Sequence, residues 1–239
     1  MAPATESETT SAGPARPNLF VEATGPQPLD GADAVICAAP AEGAEVPSDL
    51  GVIWRWSPGC QVPPQARVCV AEGGLEAAAD LRKRVPSLAV VPRIEVQRAA
   101  RSYGFAQHSG GSGFATYHLD PATARGFMVR DSGQETPLAD WLAQAAGQGF
   151  AEVWLHSTDA AAAGHGFAAD LLKRAHRDAP AMGFWLSGGA SGPGDIDRVA
   201  ALPGLAALVV PQAALALVCP SAAADGVDTA TASNVPGLA

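Results

Sequence analysis

Residues 149–216 carry three strand-and-helix units in immediate succession, and this limits the choice of fold more tightly than any other part of the chain. The run Ala-Glu-Val-Trp-Leu-His at 151–156 reads as a buried strand. It leads through a loop of small residues into 168–176, where Leu171 and Leu172 fall on one helical face. A second strand at 181–186 runs into Ser-Gly-Gly-Ala-Ser-Gly-Pro-Gly at 187–194, a helix is predicted to open at Asp195, and a third strand follows at 205–210. Strands alternating with helices and short loops pair in parallel. Glycines that end a strand just before a helix let backbone N–H groups approach an anion, and the helix dipole favours its charge. Ser187, Gly188, Gly189 and Ala190, with Gln212 on the next loop, are therefore candidate phosphate-binding residues.

Five further apolar runs precede this region, at 19–21, 34–37, 51–54, 67–70 and 88–91. Eight strands interspersed with helices predict an α/β fold, a (β/α)8 barrel of TIM type, and the length is within the usual range for one such domain. The barrel is expected over 18–219, between polar tails at 1–17 and 220–239 expected to be mobile. Residues 101–129, rich in Gly, Ser, Tyr and His, read as an insert after the fifth strand, with 122–129 as a hairpin arm. Thr136 followed by Pro137 predicts a capped helix over 138–146.

The halves echo each other. Residues 31–37 match 149–155, 50–54 match 182–186, and 66–70 match 205–209, in the same order, as a duplicated half-barrel would give. The first half is reduced, because the connections after its second and third strands are too short for an ordinary helix with its loops. Uncovered strand exteriors around Val35, Cys37 and 52–54 then predict a homo- or hetero-oligomer.

A formal net charge of −9 and a pI near 4.9 argue against nucleic acid and anionic membranes as partners. No apolar run approaches the ~20 residues that span a bilayer. The start of the chain lacks the basic and apolar regions of a secretory signal, so a cytoplasmic location is expected. Cys37, Cys60, Cys69 and Cys219 show no metal-ligand or disulfide spacing; three adjoin apolar runs, so buried reduced thiols are expected and no metal is.

Three stretches carry a family resemblance: Ala-Arg-Val-Cys-Val-Ala-Glu-Gly-Gly-Leu-Glu at 66–76, residues 149–159, and Leu-Ser-Gly-Gly-Ala at 186–190 with the strand at 205–210. Together they resemble the histidine-biosynthesis barrels, the phosphoribosyl-formimino isomerase and the cyclase subunit of imidazole-glycerol-phosphate synthase. The resemblance spans about 19–216 and is firmest from 136 onward. It implies a catalytic carboxylate at the ends of strands one and five, and phosphate sites on the loops after strands three and four and after strands seven and eight. The first carboxylate falls on Glu22; the second falls on Glu95 or, in another register, on Asp120. The chain departs from the pattern at Trp54-Arg-Trp-Ser-Pro58, at Glu72, and at Asp159-Ala-Ala-Ala-Ala163 in place of Asp-Gly-Thr, so only the last phosphate site is retained.

The residues themselves add little more. His156 and His165 flank the end of the sixth strand without a ligand-spaced partner and read as structural, and Trp54, Trp56, Trp154 and Trp185 read as core packing. The expectation is a cofactor-free isomerase, cyclase or lyase acting on a small monophosphorylated molecule by carboxylate acid/base chemistry. The alternatives are a non-catalytic barrel serving in binding or assembly and, from the resemblance alone, a role in one-carbon carrier coenzyme biosynthesis.

Overall fold

The computed structural model describes residues 17–38, 51–99, 103–105, 117–119 and 126–219. The chain opens with strands β1 (Asn18–Glu22), β2 (Ala34–Ala38), β3 (Val52–Trp56) and β4 (Val68–Ala71), followed by helix α1 (Gly74–Arg84) and strand β5 (Ala89–Arg98). Short strands β6 (Tyr103–Phe105) and β7 (Tyr117–Leu119) pair with each other, and β8 (Phe127–Asp131) and β9 (Gln134–Pro137) form a hairpin. Then come α2 (Leu138–Gly147), β10 (Glu152–Ser157), α3 (Thr158–Ala163), α4 (Ala169–Asp178), β11 (Gly183–Ser187), α5 (Gly194–Ala200), β12 (Leu205–Pro211) and α6 (Gln212–Val218).

Eight of these strands, β1 to β5 and β10 to β12, pair in parallel, and the β5 to β10 and β12 to β1 pairings close them into a barrel. The fold is a (β/α)8 barrel, and each of its eight strands overlaps one of the apolar runs in the sequence. The matched segments of the two halves, β2, β3, β4 and β10, β11, β12, stand four strands apart around the ring.

Alternation along each strand separates two cores. Inside the ring, Ala34, Ile36, Ile53, Val70, Val91, Trp154, Trp185, Ala207 and Val209 pack together. The two tryptophans are register partners, and Trp185 stands beside the small Ala207, so large and small side chains share the limited interior. Phe20 meets the Trp185 ring edge-on at 4.7 Å. Outside the ring, the strands bury their other face against helices whose apolar residues recur at helical spacing: Leu75, Ala78 and Leu81 in α1, and Leu138, Trp141, Leu142 and Ala145 in α2.

Among the described residues no helix follows β1 or β3, which meets the expectation after β3, while the connection after β2, residues 39–50, lies outside the described residues. The strand exteriors are nevertheless covered within this chain. Val35, Cys37 and Trp54 are fully buried, and Leu29, Ala32, Val62 and Ala66 from the connecting loops pack on the outer core. Among the described residues, the strand exteriors named in the argument for a partner subunit are thus covered by side chains of the connecting loops.

Strand β5 runs well past the predicted 88–91, because beyond its pairing with β4 it pairs antiparallel with β8, from Glu95 opposite Arg130 to Arg98 opposite Phe127. The predicted arm at 122–129 is thus met in β8, shifted toward its C-terminal side, while 122–125 lie outside the described residues. Ser132 and Gly133 both have positive φ, as a two-residue turn between twisted antiparallel strands requires. Thr136 does not cap α2; it pairs with Val129 in the hairpin, and Pro137 holds the position before the helix. Among the described residues, no helix is long and apolar enough to cross a membrane.

Candidate functional site at the C-terminal mouth of the barrel

The same alternation that fills the ring with apolar side chains sends the last inward residue of several strands into its C-terminal mouth. Glu22 follows Phe20 on β1, Arg55 follows Ile53 on β3, Glu95 follows Val91 and Arg93 on β5, and His156 follows Trp154 on β10. Glu95, His156 and Ser187 are register partners on three adjacent strands; one layer deeper, Arg93, Trp154 and Trp185 repeat that relation. Strands β1 and β5 are four apart in the ring, so Glu22 and Glu95 come from opposite sides.

On the β1 side, Arg55 bonds the Glu22 carboxylate, and its Nε stands 3.3 Å from Glu72, which also accepts the Ser57 hydroxyl at 3.2 Å. Glu72, two residues before α1, is thereby tied to a cation. On the β5 side the pairing is looser. Arg93 Nη1 is 3.9 Å from Glu95, the guanidinium lies 5.2 Å from the centre of the Trp154 ring, and the buried Nε has no hydrogen-bond partner.

His156 lies between these groups. Burial and then the charge of Arg93 lower its pKa from the usual 6.5, outweighing the opposite pull of Glu22 and Glu95. The imidazole is therefore neutral near pH 7. Its tautomer follows from the neighbours. The indole N–H of Trp154 can only donate, and it donates to Ser187 Oγ at 2.7 Å. Ser187 Oγ is in turn 2.9 Å from His156 Nδ1. The buried hydroxyl finds an acceptor only if it donates to Nδ1, which leaves the imidazole proton on Nε2.

The glycine loop after β11 has a packing reason for its glycines. Gly188 and Gly189 have positive φ, and a Cβ on them would lie 2.4 Å from the Ser157 carbonyl oxygen and 2.3 Å from that of Gly166. The Ser187 hydroxyl is committed to Trp154 and His156, and Gln212 is exposed at the start of α6. Just beyond, Asp195 fills the next two amides: its Oδ2 accepts the N–H groups of Ser191 and Gly192 at 2.6 and 2.8 Å and the Ser191 hydroxyl at 2.9 Å. A carboxylate of the chain itself occupies the anion position there.

A second carboxylate does the same at α1. Asp131, at the tip of the β8–β9 hairpin, accepts the Leu75 N–H at 3.1 Å and the Trp141 indole N–H at 2.7 Å. This is the loop after the fourth barrel strand, where the family resemblance implies a phosphate.

Of the residues singled out in the sequence, Glu22, Glu95 and Ser187 gather at the mouth, Gly188, Gly189 and Ala190 border it, and Asp120 lies outside the described residues. His156 belongs with them despite its bland reading, whereas His165 is exposed. Arg55 and Arg93 were missed; the signal was their place in the inward alternation, after Ile53 and Val91. Cys37 and Cys69 are buried, Cys219 is half-buried and Cys60 is exposed, so the expectation of burial fails at Cys60. Among the described residues, no group of three or more His, Cys, Asp or Glu side chains is arranged to hold a metal. A cavity of about 510 Å³ opens at the opposite end of the ring, lined by Asn18, Phe20, Val91 and Trp185 among others. Its carboxylate, Glu152, accepts the Trp185 indole N–H at 2.7 Å.

Fold and site together define a β/α barrel with a charged, histidine-bearing C-terminal mouth. No protein-family model and no curated protein matches the chain.

Proposed function

We propose that the chain is a barrel enzyme, an isomerase, cyclase or lyase, that moves protons between carboxylates and a small singly phosphorylated substrate. The observation that carries this reading is that Glu22 and Glu95 end the inward rows of strands on opposite sides of the ring, with His156 the register partner of Glu95. Positioned acids and bases of this kind contribute roughly 10²- to 10⁴-fold to a rate. Glu95 is the less tightly paired carboxylate, because its ion-pair contact is the long one to Arg93, while Glu22 is held by Arg55. A likeness to the histidine-biosynthesis barrels, resting on the half-barrel repeat and Leu-Ser-Gly-Gly-Ala, supports a sugar phosphate or related amine as substrate. Asp131, which takes the α1 terminus in the loop after β4, argues against a phosphate there, so the proposed substrate carries one phosphate rather than two.

The test is a thermal-shift screen against monophosphorylated sugars and amino sugars. A hit should be weakened in Glu95→Gln and Glu22→Gln variants that melt like the parent. A screen in which no such compound stabilises the protein would count against the reading. The two filled loops also favour a second reading, a non-catalytic barrel used for binding or assembly, and co-purification of a stoichiometric protein partner together with an empty screen would support it.

A further inference from the structure

Arg55 Nε, though without a hydrogen-bond acceptor, belongs to a guanidinium already ion-paired with Glu22 and Glu72, which leaves two donors of the mouth for a ligand. His156 gives Nδ1 to the Ser187 hydroxyl, and no described residue accepts from its Nε2 edge. Arg93 has a buried Nε without a partner, and its one ion-pair contact is the 3.9 Å approach to Glu95. The two residues are on paired strands, one inward layer apart: Arg93 is the register partner of Trp154, and His156 that of Glu95. Both rest on Trp154: its ring underlies the guanidinium at 5.2 Å, and its indole N–H anchors the serine that orients the histidine. Of the facing carboxylates, Glu22 is already bonded to Arg55. Glu95 leaves most of the Arg93 fork unmatched.

We propose that Arg93 and the Nε2–H edge of His156 form an oxyanion-binding pair in the barrel mouth, which takes the phosphate or carboxylate group of a small ligand. A guanidinium offers a fork of donors matched to such groups, and a neutral imidazole with its proton fixed on Nε2 adds a further donor at no cost in reorganisation. The backbone amides at Ser191 and Gly192 and the α1 terminus at Leu75 already hold carboxylates, so a ligand's anionic group is left to these side chains. This site rests on the reading of the mouth as a substrate site, but it concerns binding and not proton transfer.

The test uses the full chain with inorganic phosphate and, separately, acetate as probes. Nitrogen-15 spectra of the histidines should show His156 neutral and protonated on Nε2 at pH 7, and one of the probes should move that resonance; the stronger probe identifies phosphate or carboxylate as the natural group. Arg93→Gln and His156→Gln should each weaken the response about tenfold or more. His156 protonated on Nδ1, no response to either probe, or binding kept in Arg93→Gln but lost in Gln212→Glu would overturn the proposal. Should Arg93→Gln fail to fold, the wild-type spectra decide alone. A chain that binds the probe through Arg93 and His156 yet converts no substrate would end the acid/base reading and leave this one standing.

Discussion

Asp131 closes the N-terminus of a helix that begins 57 residues earlier in the chain, accepting the N–H of Leu75 at 3.1 Å. The same carboxylate oxygen takes the indole N–H of Trp141, so one side chain joins α1, the β8–β9 hairpin and α2. The approach is tight: a Cβ at Gly74 would stand 1.9 Å from the Asp131 carboxylate.

Asp131→Ala is expected to lower stability by about 2–4 kcal/mol, because it leaves a helix-terminal N–H and a buried indole N–H unpaired. Chemical denaturation checks this. Asp131→Asn, which keeps an acceptor oxygen, should recover part of the loss.

Asp195→Ala is expected to cost a similar ~2–4 kcal/mol, since the carboxylate is 1% exposed and serves two backbone N–H groups and a hydroxyl. Its ion-pair partner Arg198 is mostly exposed, so that pairing adds little. Burial disfavours the charged form of Asp195, but the Ser191 and Gly192 bonds and Arg198 prevail and lower its pKa from 3.8. Its stabilisation is thus present above pH 3.8 and is lost as pH falls through the lowered value. Wild type should therefore lose stability more steeply than Asp195→Asn in that acid range.

His156 has the opposite charge but the same sign of pH dependence. Its folded pKa lies below the unfolded 6.5, so between the two values the unfolded chain binds more protons. Stability is full above pH 6.5 and falls as the pH drops through the lowered value. In melting curves taken from pH 7.5 to 5, His156→Gln should show a flatter profile than wild type; identical slopes would contradict the burial and the Arg93 contact.

The thiols report on the ring itself. Burial pushes Cys69 up to about 12 and also raises Cys37, against a lowering effect of Arg55. A thiol reagent at pH 8 should modify the exposed Cys60 quickly and reach Cys37 and Cys69 only on unfolding. Rapid labelling of either buried thiol in the native protein would contradict the packing of β2 and β4.

The ring was legible because buried parallel strands are apolar on both faces and are punctuated by glycine, so each left a run that could be counted. The mouth was legible in part. Glu22 and Glu95 were reached through a resemblance, whereas Arg55, Arg93 and His156 needed the inward alternation carried on past Ile53, Val91 and Trp154. Other features depend on contacts far apart in the chain. Nothing near Asp131 marks it as the cap of a helix at 74, and nothing in the connections after β1 and β3 reveals that Leu29, Ala32, Val62 and Ala66 cover the ring. The glycines at 188 and 189 read equally as a cradle or as a close backbone approach until the Ser157 and Gly166 carbonyls stand beside them.

The most direct measurement of the central claim is turnover of the phosphorylated compound that the thermal-shift screen selects, compared between wild type and Glu95→Gln and Glu22→Gln variants of unchanged melting temperature. The account predicts conversion to an isomer, a cyclised product or an elimination product by the wild type, with Glu95→Gln slower by roughly 10²- to 10⁴-fold and Glu22→Gln also impaired. Conversion at an undiminished rate in both variants, or a bound compound that the wild type leaves unchanged, would contradict it.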